Sequence, residues 1–249
     1  MNHLFTYTLR LADNALVLGQ RLSEWTGHGP FLEEDLALTN IALDTFGTAT
    51  SLMEYAAKVE DKGRDADALA YRRNEREFTN ILLVEQANGD YAKTILRQVL
   101  VDAYNVLFYT ELAKSKDETI AGIAQKAIKE VSYHYRHSSS WVIRFGDGTE
   151  ESHNKIQDAL NELWRFTGEL FEQDETELTL IKQGIAVDSK AFQSKWEKQL
   201  DELFAKATIK KPETVFMQTG GRKGIHTEHL GYMLSEMQVL PRMLPDAKW

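Results

Sequence analysis

The sequence has no cysteine among its 249 residues and few basic side chains. Without cysteine it has no disulfide, no thiolate nucleophile and no cysteine-ligated zinc or iron–sulfur centre. Its 29 lysines and arginines are outnumbered by 38 acidic residues. This argues against a nucleic-acid partner, because such binding requires a positive surface that displaces counterions from phosphate. The basic region followed by an apolar block that marks an export signal is not recognisable. The apolar runs also fall far below the ~20 residues that span a bilayer. We therefore expect a soluble cytoplasmic protein without a membrane partner.

Proline is scarce as well, and its distribution indicates the fold. The four prolines are Pro30, Pro212, Pro241 and Pro245, so residues 31–211 contain none. Because proline costs ~3 kcal/mol inside a helix, this long stretch permits long helices. Apolar residues that recur at spacings of three and four favour them. The sequence predicts helices over residues 4–25, 32–60, 90–114, 118–145, 149–174, 188–207 and 227–240.

Four of these predicted helices, of about 22–30 residues each, dominate the chain. No strand alternation of useful length and no fixed-period repeat is present, so the fold class is all-α. Helices of this length suit an antiparallel bundle, where facing side chains form cofactor and metal sites. The charged stretch 60–77 is interpreted as an exposed connection that could contain one short helix. We expect one domain over residues 1–249, with residues 208–249 as a C-terminal tail packed on the bundle or on a partner.

Polar residues interrupt the apolar stripes of all four long helices. One acid on each helix of a bundle is typical of di-iron carboxylate proteins, in which two of the helices also carry Glu-x-x-His. These polar residues are Asp13, Asn14, Asn40, Asp44, Asp102, Asn105, Glu130, Tyr133, His134 and His137.

The spacing of these residues departs from a di-iron ligand set. Three residues after Glu130 stands Tyr133, and His134 lies a further ~100° around the helix. Three residues after Asn40 stands Leu43, which cannot bind iron. The interpretation we favour is therefore a buried network in which Asp13, Asp44 and Asp102 bond to tyrosine, asparagine, histidine or arginine, since buried acids persist only when paired. A bound metal and simple exposure are the alternatives.

Two histidine motifs have metal-like spacing but a simpler explanation. Glu150 and His153 form the only Glu-x-x-His, in the first turn of the fifth predicted helix, where acids are expected for capping. His226, Glu228 and His229 begin the final helix. There we favour a role in fixing the tail onto the bundle or a partner over metal binding.

At the level of longer segments, the chain resembles the C subunits of bacterial phenylacetyl-CoA epoxidases, multicomponent ring-1,2 monooxygenases of phenylacetate degradation. The likeness covers nearly the whole chain and is most specific in the tail. The segments that carry it are Tyr7–Asn14, Gln20–Trp25, Asp35–Asp44, Leu82–Gly89, Lys126–Glu130, Leu163–Thr167, His226–Gly231 and Ser235–Gln238.

The resemblance implies a ferritin-like antiparallel bundle with additional C-terminal helices, acting as a non-catalytic structural subunit. It implies as partners a catalytic A subunit that holds the di-iron centre, a small B subunit, and a reductase with FAD and an iron–sulfur centre. The complex would consume phenylacetyl-CoA, dioxygen and NADPH, while this subunit would hold no catalytic residue, metal or cofactor. A homo-oligomer is a further possibility. The degenerate di-iron positions are then Asp13, Asn40, Asp44, Asp102, Glu130, Tyr133 and His134.

Two further hypotheses concern the C-terminal region. The loop Gly220–Gly224 could cradle a phosphate of the acyl-CoA, because glycine lets backbone N–H groups approach an anion while Arg222 and Lys223 add charge. The alternative for this loop is a flexible turn. We also expect the terminal Trp249 to dock on this chain or on a partner.

Two rival functions remain from the sequence. In the first, Asp13, Asp44, Asp102, Glu130 and His134 bind iron with an atypical ligand set, and the chain is an oxygenase on its own. In the second, the chain is a generic helical homodimer with no link to an oxygenase. Metal content separates the first rival from a scaffold role, and association with the catalytic subunit separates the second.

Overall fold

The computed structural model describes residues 2–213, 215–245 and 247. Within these residues the chain forms α-helices, short 3-10 helices and connections, and no strand, so the predicted all-α class is confirmed. None of the described helices combines the length and apolar character needed to cross a bilayer. The α-helices are α1 His3–Ser23, α2 Leu32–Glu60, α3 Ala66–Tyr71, α4 Leu82–Glu85, α5 Tyr91–Leu112, α6 Glu118–Gly146, α7 Glu150–Leu163, α8 Glu175–Gln183, α9 Gln193–Lys206, α10 Glu228–Met237 and α11 Val239–Met243.

The four long predicted helices are α1, α2, α5 and α6, and their bounds lie within a few residues of the prediction. Local side chains explain several starts. Asp90 accepts a hydrogen bond from the backbone N–H of Lys93 at 2.9 Å, and Thr149 accepts one from Ser152 at 3.2 Å. Both contacts satisfy N–H groups that a helix start leaves without an internal partner.

The chain divides into two compact units. The first unit comprises Met1–His28, Glu33–Ala87 and Gly220–Trp249, and the second comprises Gly29–Leu32 and Asn88–Thr219. Single-domain organisation over 1–249 stays a prediction. The docking of Trp249 lies outside the described residues.

In the first unit, α4 packs on α1, and α10 packs on α11 and on the turn Glu75–Glu77. Apolar residues at three- and four-residue spacing give α1 a buried face. The described residues of the tail from Gly220 onward thus belong to the same unit as α1, whereas residues 208–219 of the predicted tail belong to the second unit.

In the second unit, α5 is the most buried helix and packs against α6, α7 and α9. An aromatic cluster closes one side of this core. Trp164 stacks on Trp196 with ring centroids 5.7 Å apart, and Phe171 meets Trp196 edge-on at 5.2 Å. The indole nitrogen of Trp196 also donates to the carbonyl oxygen of Leu100 at 3.3 Å, which ties α9 to α5.

Several predicted elements are corrected by the structure. The fifth helix does not run to residue 174, because α7 ends at Leu163 and a 3-10 helix continues over Trp164–Phe171. Packing explains the change: the tryptophan and phenylalanine rings of this segment join the aromatic cluster, and tertiary contacts override helix propensity. The sixth helix starts as a 3-10 turn over Ser189–Phe192, and the last predicted helix is divided into α10 and α11.

Candidate functional site

Asp13 lies on the inward face of α1 and is completely buried. Both terminal nitrogens of Arg73 donate hydrogen bonds to this carboxylate. Nη1 donates to Oδ2 at 3.0 Å, and Nη2 donates to Oδ1. Thr79 donates to Oδ2 from its backbone nitrogen at 2.8 Å and from its hydroxyl at 3.0 Å. The carboxylate is therefore neutralised by a guanidinium, and protein donors engage both of its oxygens. The favoured prediction for Asp13, a buried acid paired with a residue such as arginine, is confirmed.

The partner, Arg73, is held as firmly as the acid. Its side chain is 3% exposed, and it also donates to the carbonyl oxygens of Leu69 and Glu77. Its guanidinium carbon lies 4.1 Å from the centroid of the Phe78 ring, within cation–π range. This finding corrects the interpretation of residues 60–77 as an exposed connection, because the stretch supplies a buried arginine to the core of the first unit.

Asp102 on α5 is a fully buried acid of the second unit. Its Oδ1 accepts a hydrogen bond from Nε2 of Gln98 at 2.7 Å, and its Oδ2 lies 2.7 Å from Oγ of Ser138. Oγ of Ser138 also lies 3.0 Å from the carbonyl oxygen of His134. A serine hydroxyl has one proton, so it cannot donate to both oxygens at once.

A protonated Asp102 gives compatible hydrogen-bond partners to its own oxygens, to Ser138 and to the carbonyl of His134. Its O–H donates to Ser138, and the serine proton is then free to reach the carbonyl of His134. Burial raises the pKa of Asp102 to about 8, although the hydrogen bonds from Ser138 and Gln98 oppose the shift. At neutral pH the group is thus mostly a neutral acid, which is a poor ligand for a cation. The favoured prediction that Asp102 is buried in a hydrogen-bonded network is confirmed, but its partners are serine and glutamine instead of the predicted tyrosine, asparagine, histidine or arginine.

Three other predicted positions lie on α6 with differing exposure. Glu130 is half-buried, Tyr133 is 41% exposed, and His134 is buried. The rings of Tyr133 and His134 meet edge-on with centroids 6.3 Å apart. Burial, reinforced by the charge of Glu130, raises the pKa of Tyr109 far above its ordinary value, so this phenol stays protonated.

On α2 the structure separates Asn40 from the inward face. Asn40 is exposed, whereas Leu38, Ile41 and Ala42 are buried, so the expectation that Asn40 lies on an inward stripe is wrong. The physical reason is the helical turn: Asn40 lies ~200° from Leu38 and ~100° from Ile41. Asp44 is half-buried. That these two positions are degenerate ligands stays a prediction.

The arrangement does not fit a di-iron centre. Among residues 2–213, 215–245 and 247, no three histidines or acids are grouped as a metal ion would need. The two fully buried acids among the predicted ligand positions, Asp13 and Asp102, bond instead to an arginine and to neutral polar groups. The chemistry that these residues support is cohesion of the helices.

His153 of the Glu-x-x-His motif is used in packing. Its Nδ1 lies 2.9 Å from the carbonyl oxygen of Gly146, at the end of the preceding helix. The ring therefore links the C-terminus of α6 to the first turn of α7. This contact agrees with the capping interpretation of the motif.

A second buried polar cluster surrounds Glu85 and was missed from the sequence. One carboxylate oxygen accepts from the backbone nitrogen of Thr227 at 2.6 Å and from its hydroxyl at 2.8 Å. The other accepts from Asn80 at 2.8 Å and lies 2.7 Å from Nδ1 of His226. Arg21 adds donor contacts to the carbonyl oxygens of Glu85 at 3.0 Å and His229 at 2.8 Å. The predicted role of the His226–His229 segment in fixing the tail is confirmed.

The ring of His226 faces an acceptor at each nitrogen. Nδ1 faces the carboxylate of Glu85, and Nε2 lies 2.9 Å from the carbonyl oxygen of Phe78. Both nitrogens donate only when the ring is an imidazolium. Burial lowers the pKa of His226, but Glu85, the Phe78 carbonyl and the nearby charge of Glu75 together raise it above its ordinary value. When the ring is protonated, the tail is anchored by a buried ion pair of His226 with Glu85.

The loop around Arg222 and Lys223 packs tightly on the segment before α4. A Cβ added to Gly221 would meet the carbonyl oxygen of Asn80 at 2.1 Å, and one added to Gly224 would meet that of Arg76 at 2.2 Å. The N–H groups of residues 223, 224 and 225 donate to carbonyls within the loop. These contacts explain why glycine stands at both positions, and the explanation does not require a bound ligand. Contact of Arg222 and Lys223 with CoA or a partner stays a prediction.

The key partners that the sequence did not reveal are Arg73, Thr79 and Glu85. Glu85 left a usable signal, because an acid that ends the apolar run Leu82–Val84 is expected to be buried and paired. Arg73 left none, since it stands among other charged residues, and its partner Asp13 is 60 residues away.

The described residues form an all-α fold in which the buried acids Asp13 and Asp102 bond to protein groups, and they contain no cluster of three histidines or acids that could hold a metal ion. The chain belongs to the PaaA/PaaC family of phenylacetic acid catabolic proteins, whose profile matches residues 1–249. The fold of this family is ferritin-like, as predicted. The chain is 51% identical, over 249 residues and the full length of both proteins, to the C subunit of the 1,2-phenylacetyl-CoA epoxidase of Escherichia coli strain K12.

Proposed function

We propose that the chain is the non-catalytic structural subunit of a multicomponent di-iron monooxygenase that epoxidises the aromatic ring of phenylacetyl-CoA. Full-length similarity to the C subunit of such an epoxidase supports the choice of complex. The observation that carries the non-catalytic role is the ion pair of Asp13 with Arg73. A carboxylate bound by a guanidinium has no net charge left to offer iron, and removing one partner would leave the other charge buried.

In this role the subunit pairs with the catalytic A subunit, which holds the di-iron centre. The small B subunit and the FAD and iron–sulfur reductase complete the assembly, and the cytoplasm supplies its NADPH. The subunit itself would hold no cofactor. It would bury a face of the catalytic partner, help to shape the substrate channel and support higher assembly.

Co-expression with the catalytic subunit tests the proposal. We expect a complex that contains both chains, in which iron is retained by the catalytic subunit and is absent from this chain purified alone. Mass measurement of the intact complex and metal analysis of each separated chain give the two readouts. Two irons held stoichiometrically by this chain would establish the rival oxygenase. A stable homodimer that ignores the catalytic subunit would establish the generic helical dimer instead.

A further inference from the structure

The helix α2 has apolar residues on two different faces. Its inward face is buried in the first unit and consists of Leu38, Ile41, Ala42, Ala49, Leu52, Met53 and Ala56. Leu36 and Leu43 lie outside this face, with exposures of 54% and 61%. A helix with apolar residues on both sides is normally covered on both sides.

The exposed leucines belong to a regular pattern. Successive steps of three and four residues connect them to other positions on the same face, which is the spacing of helix–helix seams. This outer stripe consists of Glu33, Leu36, Asn40, Leu43, Gly47, Thr50 and Glu54. All of its members are exposed except Gly47, which is half-buried. Between Leu36 and Thr50, a length of ~21 Å, the stripe has no charged residue.

Gly47 strengthens the case for a helical occupant. It stands in the middle of a 29-residue helix, where glycine is the least favourable residue after proline. Small residues at such positions let a second helix approach closely, which compensates for the unfavourable propensity. An ordinary solvent face has no need of this residue.

The charges around the stripe indicate what kind of helix fits. Glu33 and Glu54 bracket it, and residues 22–57 contain no lysine or arginine. In a two-fold dimer of this chain the same surface would face itself, so acidic residues would meet acidic residues. In a complex with a different polypeptide, lysine or arginine beside an uncharged seam would meet these acidic residues. Such complementary charges speed association and suppress wrong partners.

We propose that the outer stripe of α2 is a docking surface for a helix of a different polypeptide, with an uncharged seam flanked by basic residues. This inference rests on the proposed function, in which the chain is one component of a larger complex. The catalytic subunit is therefore the partner to be tested. Leu36 and Leu43 would be the residues that fill its seam.

The test compares two sets of exposed leucines in the full-length chain. The double variant Leu36→Glu/Leu43→Glu places charge in the stripe, and Leu178→Glu is the matched control on α8, where the leucine is 48% exposed. Glutamate is a good helix former, and these side chains add little to the core, so both variants should melt as the wild type does. We expect the double variant to bind the catalytic subunit at least tenfold more weakly, and the control to bind normally.

The outcomes of this test separate the docking surface from the proposed function. If the wild type binds and the double variant binds equally well, the docking surface is wrong while the proposed function stands. If the wild type does not bind the catalytic subunit, the proposed function fails and takes this inference with it.

A crosslinking experiment identifies the occupant directly. Because the chain contains no cysteine, Asn40→Cys introduces a unique thiol at the centre of the stripe, and Leu178→Cys provides the control. A photoreactive maleimide at position 40 is expected to give a product with the catalytic subunit, and position 178 none. A product between two copies of this chain, or equal yields at both positions, would overturn the proposal.

Discussion

Replacement of Asp102 by asparagine should remove a pH dependence from the stability of the protein. Asparagine has the shape of the protonated acid: its oxygen can accept from Gln98, and its amide can donate to Ser138, whose own proton then reaches the His134 carbonyl. The variant should therefore keep the cluster intact at every pH.

The magnitude follows from the pKa of Asp102, which burial raises from 3.8 to about 8. Between these two values the folded chain holds a proton that the unfolded chain has lost. The contribution to stability is thus present at low pH and is lost as the pH rises through about 8. At about 1.4 kcal/mol per pH unit, the wild type should lose about 2 kcal/mol from this group between pH 6 and pH 8.

Urea unfolding at pH 6, 7, 8 and 9 measures the effect. The difference in free energy of unfolding between Asp102→Asn and the wild type should shift in favour of the variant by about 2 kcal/mol from pH 6 to 8, then level off. Asp158→Asn, at an exposed aspartate of α7 in the same unit, is the matched control. Parallel pH profiles for wild type and Asp102→Asn would refute a neutral Asp102.

Three other predictions concern the first unit. Arg73→Met should destabilise the protein by about 3–5 kcal/mol because it leaves Asp13 buried without its cation, and Arg73→Met/Asp13→Asn should recover part of that loss in urea unfolding. The raised pKa of His226 makes the anchoring of the tail strongest below pH 6.5, and this contribution is lost as the pH rises through the folded pKa. Hydrogen exchange in α10 should therefore speed up at alkaline pH in the wild type beyond the intrinsic rate, and His226→Gln should lack this change. Gly224→Ala should lower the melting temperature, because its Cβ would meet the carbonyl oxygen of Arg76 at 2.2 Å and its φ is +72°; an unchanged melting temperature would contradict the tight packing.

The sequence was sufficient for the long helices because their apolar spacing extends over many turns. It was insufficient where distant residues decide the structure. The 3-10 segment Trp164–Phe171 depends on a ring stack with Trp196, which no local pattern encodes. The helix α8 was missed although Asp174 and Glu177 form a capping box, a local signal that could have located it.

In the candidate site, too, local spacing was sufficient for some conclusions and insufficient for others. Spacing alone established that Tyr133 and Leu43 break the ligand pattern, because that conclusion depends only on helical geometry. It could not show that Asn40 faces outward, since α2 is apolar on two faces and the pattern does not reveal which of them is buried.

The ion pair of Asp13 with Arg73 also sets a condition on engineering. Installing histidine ligands near Asp13 would leave the guanidinium in its place beside the carboxylate. Replacing Arg73 first would leave the negative charge of Asp13 buried without its cation before any metal was bound. A route from this chain to a metalloprotein therefore has no stable single-step beginning, and a designer would have to exchange the arginine and install the ligands together.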